Sequence, residues 1–226
     1  MRILVVGSGG REHALVWALQ KTSSRPAEIF CAPGNAGIAE IAQCIPIGAT
    51  DVGALADFAQ HERIDLTMVG PEASLAEGIV DEFERHGLRI VGPSKQAAQL
   101  ETSKVFAKDF MQRHGIPTAR YRVAASVDEA VKILRSGELG NENSPVVVKA
   151  DGLAAGKGVV VARSRDEAEK ALADLATLGP AADRIIIEEA LTGHEASVLL
   201  FSDGKDFRLM PAARDHKRVG EDDTGP

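Results

Sequence analysis

The chain has 226 residues, 44% of them hydrophobic and 26% charged, with a formal net charge of -7. That is the composition of a soluble globular protein, and its acidic balance leaves no excess of cations to neutralise a nucleic-acid backbone or an anionic membrane surface. A small phosphorylated ligand stays open, because it needs only a local cluster of donors.

Cys31 and Cys44 are too few for a disulfide framework and predict reduced, buried thiols in a cytoplasmic setting. Too few apolar residues precede Gly7 for a signal peptide, and no run reaches membrane-spanning length. Strands are expected at residues 3–6, 28–31, 66–69 and 89–91. Between them come helices. Residues 11–20 carry Ala14, Leu15, Ala18 and Leu19 on one face, and residues 51–60 carry Val52, Leu55, Ala56 and Ala59. Residues 74–86 read as one helix, with Ser74 and Glu77 as a capping box, Leu75, Ile79, Val80 and Phe83 as its stripe, and Gly87 as its stop. This alternation predicts an α/β fold that opens with a doubly wound, Rossmann-like parallel sheet.

Beyond a boundary near 101–104 the pattern changes. Helices are expected at 104–114, at 126–136 (capped by Ser126 and Glu129) and at 164–176 (Glu167 in the box). A valine hairpin spans 146–162, residues 137–145 are loop, and 185–189, 195–201 and 207–211 read as strands. Strands in neighbouring runs predict an α+β region on an antiparallel sheet.

The first glycine loop is VVGSGGREHAL, residues 5–15. Gly7 and Gly9 begin a G-x-G-x-x-G pattern, but Glu12 stands in place of the third glycine. The acid expected at the end of the second strand is absent, with Phe30 and Cys31 there instead, so a dinucleotide site is not expected. A phosphate on the N–H groups of Gly9, Gly10 and Arg11 is one reading, with Arg11 adding a charged fork. The other is a tight turn without a ligand. APGNAG (32–37) and VGPE (69–72) end strands at the same sheet edge, where ligands of open α/β sheets bind. Glu72 would pair a ribose hydroxyl or an amine, or stand as a solvated turn carboxylate.

VVVKADGLAAGKGVVVA (146–162) is not a P-loop: three residues separate Gly152 and Gly156, and Gly158 occupies the Ser/Thr position. Strands on both sides make it a glycine-rich hairpin, either a phosphate-covering loop or an ordinary mobile tip. Lys149, ending a buried strand, needs a counter-charge, for which an ATP phosphate is the natural candidate. IIIEEAL (185–191) runs from an apolar strand into two acids, able to offer backbone groups to an adenine edge and a carboxylate to its ribose.

These stretches, with the Ser103–Lys104 pair, KDFMQRHGIPTA (108–119), IIEEALTGHEAS (186–197) and DHKRVGEDDTGP (215–226), resemble the ATP-grasp superfamily. Within it they resemble the glycinamide ribonucleotide synthetase family, over the whole chain and in the family's order. The resemblance implies a cytoplasmic, ATP-binding and metal-binding ligase of purine biosynthesis. It would join glycine to 5-phosphoribosylamine through glycyl phosphate, using ATP with Mg²⁺ or Mn²⁺.

It also implies roles for individual residues. Lys104, Lys149, Gly152, Gly156, Lys157 and Gly158 would hold the ATP phosphates. Glu188, Glu189, Ala190 and Leu191 would line the adenine, Glu195 would take the ribose and Arg218 would reach the nucleotide. Gly9, Gly10, Arg11, Asn35, Gly70 and Glu72 would bind the phosphate and sugar of the ribosylamine. Asp215, His216 and Lys217 would lie near the transferring group or the glycine.

The implied domains are 1–103 for the substrate phosphate, 104–120 as a link, 121–188 as a small ATP-grasp lobe with its flap, and 189–226 as the start of a large lobe. The family's pattern continues past D-D-T-G-P into its metal-binding acids, so the expectation is an N-terminal half with an exposed apolar edge. The metal ligands stay unassigned: Glu188 and Asp222 are available, but their spacing marks neither. Oligomeric state is open. Two alternatives remain. One is another ATP-grasp ligase of the purine pathway, against which GGREHAL and DHKR speak. The other is a nucleotide-binding fragment without turnover.

Overall fold

The computed structural model describes residues 1–24, 26–152, 158–177, 183–214 and 220. It divides into two compact units, Met1–Glu189 and Ala190–Pro226.

The first unit opens with β1 (Arg2–Gly7), α1 (Gly10–Thr22), β2 (Glu28–Pro33), α2 (Ala36–Ala39), β3 (Gln43–Cys44) and α3 (Val52–His61). Next come β4 (Leu66–Val69), α4 (Glu72–Glu77), α5 (Ile79–Arg85), β5 (Ile90–Val91) and α6 (Lys95–Thr102). The five strands form a parallel sheet in the order β3-β2-β1-β4-β5. Residues 3–6 are all apolar because both faces of this sheet are covered. Leu4 and Val6 pack with Phe30, Leu55 and Phe83 on one side, and Ile3 and Val5 with Val16, Ile29 and Ile38 on the other.

Several local expectations change. The stripe of α1 that meets the sheet is Glu12 and Val16, flanked by Leu15 and Leu19, while Ala14 is exposed. The helix expected over 74–86 is two helices. Gly78 adopts φ 88°, which ends α4 and starts α5. Ser74 lies inside α4 rather than at its cap, and its buried hydroxyl donates to the Ala49 carbonyl (2.7 Å). The unforeseen α6 is capped by Ser94 and buries only Ala98, so its sequence carries little periodicity. Cys31 is buried and Cys44 only partly so; both are free thiols. Burial, first of all, pushes the Cys31 thiol up to about 12, which makes it unreactive.

The unit continues through α7 (Lys104–Arg113), β6 (Tyr121–Ala124), α8 (Val127–Arg135), β7 (Val146–Ala150), β8 (Val159–Ala162), α9 (Arg165–Leu175) and β9 (Ile185–Glu189). The strands make an antiparallel sheet in the order β6-β9-β7-β8. Strand β6 was not expected, being short and only partly buried. Ala130 and Leu134 of α8, with Ala168, Leu172 and Leu175 of α9, cover one face by packing on Val146, Val148, Ile185 and Ile187. The caps form as expected: the Ser126 and Ser164 hydroxyls accept from the N–H groups of Glu129 and Glu167. The glutamates reach back one residue further than a strict capping box, to the N–H groups of Ala125 and Arg163 (2.8 Å each).

In the second unit, β10 (Leu200–Ser202) and β11 (Phe207–Leu209) pair as an antiparallel hairpin. The strand expected from 195 begins only at 200, with one isolated bridge between Ser197 and Ala213. Leu199, Leu200, Phe201, Phe207 and Leu209 are all more than half exposed.

Candidate functional site

The parallel sheet changes direction beside β1. The chain runs outward through β2 and β3, then returns to β4 on the other side, which leaves a crevice at the carboxyl ends of β1 and β4. Three loops are tied together there. Gly34 N–H donates to the Gly7 carbonyl (3.0 Å), and Gly70 N–H donates to that of Val6 (3.0 Å). Asn35 Nδ2 donates to the Ser8 carbonyl (2.8 Å), while its Oδ1 accepts from Ile38 N–H and caps α2. Arg11 Nη1 reaches across to the Gly70 carbonyl (2.6 Å) and Glu72 Oε1 (2.9 Å). Gly9, Arg11, Asn35, Gly70 and Glu72 therefore share one crevice, with Gly10 opening α1.

The Glu72 side-chain bond raises the Arg11 pKa above its ordinary value. The Glu72 carboxyl is held down first by its own backbone N–H at the start of α4 and then, against some burial, by Arg11. Both side chains are largely solvated, so this pair contributes at most about 1 kcal/mol and a ligand can displace it.

One expectation fails here. The N–H of Gly9 is not free for a phosphate, because it donates to Glu12 Oε2 at 2.6 Å. The Glu12 side chain is buried between the strand ends. A Cβ on Gly70 would lie 1.9 Å from Glu12 Oε1 and 2.5 Å from its Cδ. Gly70→Ala is therefore expected to displace Glu12, break its bond to Gly9 and destabilise the protein by about 1–3 kcal/mol. Chemical denaturation reads this, and a change within error would mean that Glu12 moves aside freely.

The second cluster lies on the antiparallel sheet, on the face that α8 and α9 leave open. Lys149 of β7 donates to Glu188 Oε2 of β9 at 3.0 Å, so a carboxylate of this chain already gives it a counter-charge. Lys108 of α7 pairs with the same oxygen at 3.1 Å. Its ammonium also donates to Thr118 Oγ1 (2.8 Å) and the Ala119 carbonyl (3.3 Å). Lys108 and Glu188 are both buried, and Glu188 Oε1 has no hydrogen-bond partner among the described residues.

Next to this pair, the buried Asp151 directly follows β7. Its carboxylate accepts from Val105 N–H (2.8 Å), Ser103 Oγ (3.1 Å) and Arg184 Nη2 (2.5 Å). Lys104, in the first turn of α7, donates to the Gly152 carbonyl at 3.1 Å. Burial is the main force pushing the Lys104 pKa down; Asp151 opposes it and Lys149 adds to it. An added anion beside Lys104 would reverse that shift. Lys104, Lys108, Lys149 and Arg184 thus gather around Asp151 and Glu188 at the base of the glycine hairpin, with Glu101 also acting on Lys104. Ala150 N–H bonds to the Gly158 carbonyl (2.8 Å), so the hairpin arms stay paired up to Gly158.

Sequence reasoning missed Lys108 and Asp151. Lys108 follows Lys104 by one helical turn, and that spacing on a buried face was the available signal. The Glu189 carboxylate is engaged by the N–H of Arg120 (2.8 Å) and its guanidinium (2.7 Å). Ala190, Leu191 and Glu195 lie in the second unit, where Leu191 is exposed. Gly156, Lys157, Asp215, His216, Lys217 and Arg218 lie outside the described residues. Among the described residues no group of three or more His, Cys, Asp or Glu is placed to hold a metal ion.

A parallel sheet followed by a lysine-lined antiparallel sheet with a glycine hairpin marks an ATP-grasp protein. The chain belongs to the phosphoribosylglycinamide synthetase family: the model of its N domain matches residues 1–101, and that of its ATP-grasp (A) domain matches residues 102–226. It is 52% identical over 233 residues to the phosphoribosylamine–glycine ligase of Escherichia coli (strain K12), a match that covers 100% of this chain and 52% of that protein. The crystal structure of phosphoribosylamine–glycine ligase from Thermotoga maritima superposes with a TM-score of 0.77 at 31% identity, over 100% of this chain and 53% of that one. A carboxyaminoimidazole ribonucleotide synthase from Aspergillus clavatus, solved with ATP, gives 0.72 at 20% identity over 98% of this chain and 55% of that one, which is a likeness of fold. The chain spans about half the length of the curated relatives it matches.

Proposed function

We propose that this chain is the N-terminal part of a phosphoribosylamine–glycine ligase acting in cytoplasmic purine synthesis. It would carry the ribosylamine crevice and the ATP-phosphate seat. The observation that supports this best is the cationic cluster of Lys104, Lys108 and Lys149 at the base of the hairpin, in a chain that both family models match end to end. In the proposed reaction the glycine carboxylate attacks the γ-phosphorus of ATP, giving glycyl phosphate and ADP. The ribosylamine nitrogen then attacks the acyl carbon and expels phosphate.

No side-chain nucleophile is needed, so catalysis rests on positioning and on positive charge around the transferring group. Lys104 and Lys149 would meet the phosphates. The hairpin from Gly152 to Gly158 would cover them, and Glu188 and the residues after it would border the adenine. A divalent ion, Mg²⁺ or Mn²⁺, would neutralise phosphate charge when bound. No helix among the described residues is long and apolar enough to cross a membrane.

The runner-up is a carboxylate ligase of another purine step, since the Aspergillus synthase shares the fold. ADP release by the longer protein decides between them. Turnover should require both glycine and the ribosylamine, and bicarbonate supporting it in place of glycine would overturn the proposal.

A further inference from the structure

We propose that Glu12 is a specificity residue. It would exclude phosphate from the first glycine loop and offer the crevice between β1 and β4 a carboxylate oxygen for hydroxyl or amino donors instead. Glu12 is the third residue of α1 and only 5% exposed. Its Oε2 accepts from Gly9 N–H at 2.6 Å. A glutamate that only caps a first turn sits in solvent, whereas this one is wedged against both strand ends. A Cβ at Gly7 would meet its Cγ at 2.5 Å, and a Cβ at Gly70 would meet its Oε1 at 1.9 Å. Two glycines from distant parts of the chain are thus needed to make room for one carboxylate. Its Oε1 accepts no hydrogen bond among the described residues. That oxygen is not among the sealed side-chain atoms without a partner, so it is open to a water or to a ligand's donor.

The charge decides the ligand class. A phosphate cradled on Gly9 and Gly10 would stand beside the Glu12 carboxylate and be repelled, most strongly where water is excluded. Arg11, the cation nearest in sequence, is turned to Gly70 and Glu72, so a phosphate at the loop would first have to draw it away. Sugar hydroxyls and amines are donors and meet the opposite response. In dinucleotide folds an acid at the end of the second strand takes the ribose hydroxyls. Here β2 supplies none at Phe30 or Cys31, and the acid arrives from α1 instead. This inference rests on the reading that the crevice takes the phosphosugar. It adds which end enters: the hydroxyls or the amine face Glu12, and the phosphate points away.

An amide-resolved NMR titration with inorganic phosphate reads Gly9 and Gly10 directly. In the wild-type chain these two amides should not move. In Glu12→Ala, phosphate should shift both, with an affinity about tenfold or more above the wild type's. Glu12→Ser, which keeps a polar group in the first turn, should behave alike and serves if the alanine variant does not fold. Wild-type Gly9 and Gly10 amides that follow phosphate overturn the proposal, as does a folded variant as silent as the wild type. The titration needs neither ATP nor turnover. A longer protein that makes no glycinamide ribonucleotide would remove the functional reading and leave the Glu12 result standing.

Discussion

Glu188→Leu is expected to lower the unfolding free energy by about 3–5 kcal/mol, the range for breaking a buried ion pair from one side. Glu188 Oε2 serves two ammonium groups, Lys108 at 3.1 Å and Lys149 at 3.0 Å. Their situations differ. The Lys149 side chain is 25% exposed and can turn to solvent, but that of Lys108 is 8% exposed and cannot. Removing the carboxylate leaves Lys108 with no anion, only the neutral oxygens of Thr118 and Ala119 and the Tyr121 ring, whose centre is 5.5 Å away. Urea unfolding should show a lower midpoint with an unchanged slope. The double variant Lys108→Met/Glu188→Leu should recover much of the loss, since it removes the stranded cation as well. A single variant that costs under about 1 kcal/mol would mean that water already reaches Lys108.

Asp151→Ala is expected to cost about 3 kcal/mol, the upper end for hydrogen bonds to a charged group. Its carboxylate ties its own strand end to two separate segments: the N–H of Val105 and the hydroxyl of Ser103 at the start of α7, and the guanidinium of Arg184 ahead of β9. The Val105 amide is buried, so losing its acceptor carries a desolvation cost, whereas Arg184 is half exposed and loses less. Lys104 is held by the backbone carbonyl of the next residue, Gly152, so its position depends on the same latch. The variant should therefore lose nucleotide affinity as well as stability. Asp151→Asn should restore part of the stability, because its amide oxygen still accepts from Val105. Equal damage from alanine and asparagine would place the whole effect in the charge.

The legibility of this fold follows how local each cause is. Helices α8 and α9 were readable because Ser126 with Glu129 and Ser164 with Glu167 carry their own capping chemistry within one turn. The break at Gly78 was hidden by an apolar stripe, Leu75, Ile79, Val80 and Phe83, that continues across it. Helix α6 was hidden because it buries only Ala98.

In the site, the loops at the ends of β1, β2 and β4 could be assigned to one edge from the strand–helix alternation. What fills that edge could not, because Glu12 is defined by Gly70, which follows a strand far along the chain. The same holds for Lys149. Its need for a counter-charge was visible, but that Glu188 meets it is a consequence of the pairing of β7 with β9, where Lys149 stands opposite Ile186, two residues from Glu188 and on the same face.

The central claim is that the open face of the β6-β9-β7-β8 sheet seats nucleotide phosphates. Calorimetric titration of Mg-ATP into the chain, with Lys149→Ala as its partner experiment, tests it most directly. Saturable binding is predicted, weakened about 10- to 150-fold in the variant, as expected for losing a charged contact worth about 1.5–3 kcal/mol. Equal affinity in both proteins, or no binding by a chain shown to be folded, would contradict the claim.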